Sequence, residues 1–339
     1  MPAPENAAVT PFRHTRDGGA GRPPRAARPS LTALLAVPVA LTTLFALVRL
    51  TGTEATWPLR MAVAYTPYLA AAALVPPLLA LALRRRRLAL AGCLAPVVLA
   101  ALLVPRVLTD GAVVGVPLRV GSANLYYGEA DPAAVVAFAR EVDVLSVQEL
   151  TPEAADALDA AGLGEVLPHR VLTPGPGATG TGLYARRPLT PADAPPGRFA
   201  MTAAVLDGVE FLAVHTSAPY APGLVDDWLA ELAALPRADG VPRVLAGDFN
   251  ATLDHAALRA LLDSGYTDAA EATGHGLTGT WRPHSGDHGT VLGLTPPPVA
   301  LDHVLVSGLG VASLRFADLP GGDHRVLAAS LALPDWAHD

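Results

Sequence analysis

The 339-residue chain has no lysine and one cysteine. A single thiol excludes an intramolecular disulfide. Because Cys93 lies inside an apolar run, it also excludes cysteine-ligated zinc and a thiol nucleophile from the polar part of the chain. Aromatic residues make up 5% and charged residues 16%, where soluble domains carry about 25% charged residues. Mean hydropathy is +0.36, which points away from an ordinary cytosolic enzyme. The missing lysine, beside abundant Ala, Gly and Pro, is the mark of GC-rich coding and is given no chemical meaning. Charge is unevenly spread. Residues 1–109 hold 12 Arg against Glu5, Asp17 and Glu54, a net of +9, while residues 110–339 hold 12 Arg against 28 acids, a net of −16. A basic, apolar third joined to an acidic remainder predicts a membrane part and a soluble part.

Three apolar runs, at about 31–50, 61–83 and 88–105, fill residues 31–108. At 1.5 Å rise per residue, about 20 helical residues cross a hydrocarbon core of roughly 30 Å. Pro38, Pro67, Pro76, Pro77 and Pro96 would break soluble helices, but membrane helices tolerate proline where neighbours satisfy the freed carbonyls. A cleaved signal peptide is the other reading of the first run, and two further runs behind it argue against that. Arg13, Arg16, Arg22, Arg25 and Arg28 precede the first run, and Arg84 to Arg87 separate the second and third. The intervening TGTEATWPLR carries only Arg60, with Trp57 as an interfacial anchor. The positive-inside rule therefore puts the N-terminus in the cytoplasm and residues 109–339 beyond the plasma membrane. Residues 1–30, rich in Pro, Gly and Arg, read as a disordered cytoplasmic tail.

From residue 117 the pattern changes to short β-rich runs, turns and brief helices. Strands are predicted over 118–127, 143–150, 243–250, 301–307, 311–317 and 325–333. AMTAAVL and VEFLAVHT flank Asp207-Gly208, a hairpin signal of the I′ kind. Asp131-Pro132 and Thr151-Pro152 each open a helix, and further helices are predicted near 223–235 and 254–263. Packed sheets covered by helices follow as the architecture. The stretch 273–300 is too long for a plain connection and is predicted to be an active-site loop.

Polar residues fall at or just after the ends of the apolar strands. Asn124 and Glu149 close two of them and offer the oxygen ligands that a hard cation such as Mg²⁺ wants. Asp248 and Asn250 share a face if the extended backbone continues. Asp302 and His324 make an acid–imidazole pair, in which the acid orients the ring and raises its pKa. His215 is a second imidazole at a strand end. Such a set suits phosphate ester hydrolysis, which needs a cation, an acid to align water and a donor for the leaving oxygen.

In chain order, S-A-N-L (122–125), Q-E (148–149), G-L-Y-A-R-R-P-L (182–189), H-T-S-A-P (215–219), G-D-F-N (247–250), T-W (280–281), L-D-H-V-L-V-S (301–307) and G-D-H-R (322–325) resemble the endonuclease/exonuclease/phosphatase superfamily, the DNase-I-like phosphoesterases. The resemblance implies a four-layered α/β sandwich with the site at one end of two facing sheets. It implies metal ligation by Asn124, Glu149 and Asp323, with Mg²⁺, or alternatively Mn²⁺, as cofactor. His215 is implied as a phosphate-contacting or leaving-group histidine, Asp248 as the residue that aligns or deprotonates water, and Asn250 as a holder of a phosphate oxygen. Asp302 is implied to orient His324, whose imidazolium would bind the phosphoryl group. Many members carry an acid two residues after the first asparagine. Here that residue is Tyr126, which favours one principal cation resting on Glu149. Tyr184, Arg187 and Trp281 are candidate substrate contacts, each with a structural alternative. His303 is read as structural, and His275, His284, Asp287 and His288 as a solvated loop cluster.

The fold alone does not choose a substrate. The −16 charge disfavours a long polyanion such as nucleic acid, and tethering raises the effective concentration of membrane-resident substrates. Three spans followed by this domain resemble the membrane phosphatases associated with teicoplanin resistance, which implies a prenyl pyrophosphate or other lipid phosphate at the outer face. The alternatives are a tethered extracellular nuclease or phosphodiesterase and a non-catalytic membrane interaction module.

Overall fold

The computed structural model describes Met1 and residues 30–109, 115–282 and 295–333. The basic tail before Ser30, and His284, Asp287 and His288 of the long loop, lie outside them. Helix α1 (Leu31–Thr51) starts where Ser30 accepts the amide of Ala33 and stops at Gly52, whose φ of +68° only glycine adopts freely. The second apolar run departs from a single rod. It forms α2 (Trp57–Ala64), α3 (Thr66–Ala72) and α4 (Val75–Ala82), bent by 81° after α2. Pro67 causes the break, since its ring clashes with the carbonyl four residues back, and the Thr66 hydroxyl caps the freed Val63 carbonyl at 2.7 Å. The third run comprises α5 (Arg86–Gly92) and α6 (Leu94–Leu103), continued by a 3-10 turn to Val107. Among the described residues two helices are thus long and apolar enough to cross a membrane, or three if the bent pair is one span.

Twelve strands follow among the described residues: β1 (Val116–Asn124), β2 (Val144–Gln148), β3 (His169–Thr173), β4 (Thr181–Ala185), β5 (Thr190–Ala192), β6 (Thr202–Leu206), β7 (Val209–His215), β8 (Arg243–Asp248), β9 (Thr267–Asp268), β10 (Asp302–Ser307), β11 (Gly310–Asp318) and β12 (Arg325–Leu333). They form two six-stranded sheets, ordered β11-β12-β1-β2-β4-β3 and β5-β6-β7-β8-β10-β9. Each has a parallel central pair, β1 with β2 and β7 with β8, flanked by antiparallel neighbours. Helices α7 (Pro132–Ala139), α8 (Pro152–Ala160) and α9 (Leu163–Val166) cover the first sheet. Helices α10 (Val225–Ala234) and α11 (Ala256–Leu262) cover the second, and α12 (Ala269–Ala272) closes an edge. The mixed α/β chain is therefore the expected four-layered sandwich.

Strand parity decides what faces the seam between the sheets. Leu118 and Val120 of β1, Val144 of β2, Phe211 and Ala213 of β7, Val244 and Ala246 of β8, and Val304 and Val306 of β10 fill the inter-sheet core. Each buried Val, Leu or Phe contributes about 1.5–3 kcal/mol. Side chains alternate along a strand, so the same parity carries Asn124, Gln148, His215, Asp248 and Asp302 into the seam at one end. Apolar residues thus fix the faces on which the polar ones sit.

The N-terminal helices do not hang from a linker. Asp254, buried six residues beyond Asp248, binds Arg49 of α1 through Oδ1 and Arg106 through Oδ2 at 2.9 Å. Glu54 accepts the Ala256 amide at 2.8 Å and so caps α11. His255 joins the Arg60 carbonyl at 3.0 Å, and burial lowers its pKa to about 4, so the ring is neutral. Trp57 donates to the Pro219 carbonyl at 2.8 Å, and Tyr68 to that of Pro298 at 2.7 Å. These anchors fall on the loops that flank His215, Asp248 and Asp302.

Removing one partner from a buried ion pair strands the other, at about 3–5 kcal/mol, whereas exposed pairs contribute about 0–1 kcal/mol. Asp254→Ala is expected to lower stability by the larger amount and Asp159→Ala, which breaks the exposed pair with Arg170, by the smaller. Denaturant unfolding of the two variants in detergent checks this, and equal midpoints would contradict the docking.

Candidate active site

The site is assembled from both sheets. Asn124, at the end of β1, donates from Nδ2 to Glu149 Oε1 at 3.1 Å and to Asp248 Oδ2, across the seam, at 3.2 Å. Its Oδ1 accepts the Tyr126 amide at 3.0 Å. Asp302 of β10 receives His324 Nδ1 at 2.7 Å, a second hydrogen bond between the sheets, because His324 leads into β12. The Thr280 hydroxyl accepts the amides of Leu301 and Asp302 at 3.0 and 3.1 Å, which fixes the strand start that carries the acid. Trp281 bridges to His324 through its backbone and donates Nε1 to Asp323 Oδ2 at 2.9 Å.

Between these pairs lies a gap. His324 Nε2 is 3.7 Å from Asp248 Oδ2, and His215 Nε2 is 3.8 Å from the same oxygen and 3.9 Å from Glu149 Oε1. These distances are too long for direct hydrogen bonds and leave room for an inserted oxygen. Asn250 takes a left-handed φ of +45°, which Asn tolerates. Its amide N–H binds Asp248 Oδ1 at 2.8 Å and its Nδ2 binds the Thr216 carbonyl at 2.8 Å. Tyr126, Tyr127 and Glu149 also have positive φ, so backbone strain of roughly 1–3 kcal/mol per residue gathers at this end. Gly247 is obligatory: a Cβ there would lie 2.0 Å from the Val214 carbonyl oxygen.

Burial disfavours charge at all these groups, and their partners decide the outcome. For His324 burial opposes the cation, but Asp302 and then Asp248 outweigh it and push its pKa up to about 10. His215 is the reverse: burial, followed by repulsion from His324, lowers it to about 3. A backbone contact at Ala178 that falls short of a hydrogen bond offsets little of this. Asp248, Glu149 and Asp323 are each raised, chiefly by burial. Four carboxylates, with Asp302, thus face one imidazolium. Burial holds three of these acids toward the neutral form, and a divalent cation on their oxygens would favour the charged form.

Atoms of Asp248, Asp302 and His324 lie within 4.8 Å of one another and could hold an ion. The nitrogen of His324 that faces Asp302 is already hydrogen-bonded to it, however. Glu149 Oε1 lies 3.9 Å from His215 Nε2 and Asp323 Oδ1 lies 3.9 Å from His324 Nε2, so both offer further oxygen donors to the gap. Asn124 presents an amide nitrogen to both acids, so ligation by its oxygen would require the amide to turn over and release Tyr126.

Nine of the eleven candidates gather here: Asn124, Glu149, His215, Asp248, Asn250, Trp281, Asp302, Asp323 and His324. Two do not. Tyr184 points to the opposite face of β4 and is fully buried in the apolar cluster beneath α7, α8 and α9. Arg187 lies beyond the far end of β4, since Gln148 at the site pairs with Thr181 and not with Ala185; it pairs there with Asp207. His303 has the structural role expected of it, between Asp268 at 2.9 Å and the Ala251 carbonyl at 2.8 Å behind the second sheet. His275 contacts the Thr273 hydroxyl at 3.2 Å.

Several supporting residues escaped the sequence reading. Ser122, Gln148 and Ser146 form a buried chain beneath the site that ends on the Ala246 carbonyl of the other sheet at 2.7 Å. Their seam-facing strand positions were the available signal. Glu231 accepts the Ser217 amide and hydroxyl at 2.6 and 3.1 Å and the Arg198 amide at 2.6 Å, which shapes the loop after His215. An acid on the apolar stripe of Val225, Trp228 and Leu232 was its signal.

The profile of the Endonuclease/Exonuclease/phosphatase family matches residues 121–326. The chain belongs to that family. Members are typically hydrolases of phosphoester bonds and generally use a divalent metal. No curated protein matches the chain. Among solved structures it is similar to an endonuclease/exonuclease/phosphatase from Beutenbergia cavernae (20% identity, 64% of this chain and 72% of that one, TM-score 0.47). It is also similar to an AP endonuclease from Archaeoglobus fulgidus (16%, 62% and 98%, 0.49) and to D. rerio TDP2 complexed with single-strand DNA product (14%, 64% and 99%, 0.47).

The pH dependence follows from His324. Its folded pKa lies above 6.5, so the stabilisation from its pairing is complete below about 6.5 and lost as pH rises toward about 10. Wild-type stability is expected to decline across that window, and Asp302→Asn to flatten the decline and to move the alkaline limb of kcat/KM to lower pH. Unfolding midpoints and rate profiles check this; an unmoved limb would contradict the pairing.

Proposed function

We propose that this family member is a membrane-anchored, Mg²⁺-dependent phosphohydrolase that cleaves a prenyl pyrophosphate or another lipid phosphate at the outer face of the plasma membrane. One observation carries the reading. The apolar helices grip the loops flanking His215, Asp248 and Asp302, through Trp57–Pro219, Arg49 and Arg106 with Asp254, and Tyr68–Pro298. If those helices span the bilayer, the catalytic end of the sandwich is held beside it, where a lipid headgroup would present its phosphate. The arginine-rich N-terminal side supports a cytoplasmic N-terminus and an outward-facing hydrolase.

Glu149 and Asp323, with Asp248 close by, would hold the cation, which when bound neutralises phosphoryl charge and acidifies water. Asp248 lies where it can align that water and take its proton, and burial makes it a stronger base than an exposed carboxylate. Asp302 fixes His324 through Nδ1 and leaves Nε2–H directed at the gap, where the imidazolium would donate to a phosphoryl oxygen as charge builds. His215 is neutral and acts as a hydrogen-bonding group. Asn250, fixed by the Thr216 carbonyl, would orient a second phosphoryl oxygen.

Purified protein in detergent is expected to release phosphate from prenyl pyrophosphate, to lose that activity with EDTA and to regain it with Mg²⁺. A panel with sphingomyelin and plasmid DNA decides the substrate class, and nicked DNA with untouched lipid would overturn the reading in favour of a tethered nuclease.

A further inference from the structure

A cavity of about 410 Å³ opens beside the gap, lined among others by Thr280, Trp281, Arg282, Asp323, His324 and Arg325. It contains two guanidiniums with different commitments. Arg325 is paired with Asp318 at 3.1 Å and lies over the Phe316 ring. Arg282 is exposed and, among the described residues, makes no ion pair, while its backbone N–H is fixed on the Asp323 carbonyl at 3.0 Å. The Tyr68 hydroxyl of the bent helical pair donates to the carbonyl of Pro298, another residue of that lining, at 2.7 Å. Tyr68 also lines a second cavity of about 200 Å³, with Ala64, Pro67, Ala71 and Leu277, and Pro298 is common to both cavities. The second cavity's ionic lining groups, Arg106 and Asp254, are satisfied by each other, so it is electrically quiet. The sequence of surroundings is thus imidazolium, a guanidinium with no ion pair among the described residues, tyrosine and a largely apolar groove.

Resting on the lipid pyrophosphate reading above, we propose that Arg282 is the specificity residue for the second, lipid-linked phosphate, with the hydrocarbon chain passing Tyr68 toward the groove. Water would form the new O–P bond at the terminal phosphorus and give its proton to Asp248. The bridging P–O bond breaks, and its electron pair leaves with the lipid monophosphate. Arg282 stabilises that departing charge by the two-pronged geometry a guanidinium offers phosphate. Terminal phosphate is held by His324, and so inorganic phosphate should bind independently of Arg282.

The test uses the full-length protein in detergent with farnesyl pyrophosphate as substrate and inorganic phosphate as competitive inhibitor. Arg282→Gln is expected to raise KM for farnesyl pyrophosphate at least tenfold while the phosphate inhibition constant moves less than threefold. Arg282→Lys should recover part of the loss and Arg282→Glu deepen it. A general disturbance of the fold would move both constants together, and that outcome, or an unchanged KM, would overturn the inference while leaving the proposed function standing. Wild-type protein that cleaves DNA but ignores farnesyl pyrophosphate would remove the proposed function and this assignment with it.

Discussion

Two hydrogen bonds that cross from one sheet to the other, Asn124 to Asp248 and His324 to Asp302, are the constraint on which the site depends. Each joins side chains that are remote in sequence and belong to separate layers, so the pairs exist only if both sheets are in register and correctly spaced. The apolar seam supplies the spacing, and the Ser146 contact with the Ala246 carbonyl pins it with a directional bond. A polar network at the end of an apolar seam is costly unless satisfied. Here it is largely satisfied, His215 Nδ1 excepted, and the carboxyl oxygens gathered at the gap mark where a cation would sit.

The same constraint separates two acid–imidazole pairs that the sequence presents side by side. Asp302 faces the seam and holds His324, while His303, one residue on, faces outward and is used up by Asp268 and the Ala251 carbonyl. One pair keeps a ring nitrogen directed at open space; the other has both nitrogens committed within the fold. Chemistry follows the pair with a free donor.

Much of this could be read from residue order. Alternation along β1, β7, β8 and β10 assigns Asn124, His215, Asp248 and Asp302 to one face, and Asp207-Gly208 forms the expected hairpin turn, both residues having positive φ. Tyr184 escaped because β4 is buried on both faces, so alternation carries no signal there. Arg187 escaped because β4 runs antiparallel to β2, which sends its C-terminal end away from the site. The grip of Arg49 and Arg106 on Asp254 spans about 150 to 200 residues of sequence and leaves no local pattern. The bend in the second apolar run needed only Pro67, a signal that hydropathy alone passes over.

The docked helices make the catalytic end a composite of membrane-type and soluble-type structure, and both place polar bonds on the same loops. On the proposed reading Glu149 and Asp323 would hold the cation, while Asp302 and His324 stay bound to each other. Anomalous diffraction from crystals soaked in Mn²⁺ tests it most directly. The account predicts a single strong peak in contact with Glu149 and Asp323, with the His324–Asp302 hydrogen bond intact. A peak ligated by Asp302 and His324 in place of that bond would contradict it.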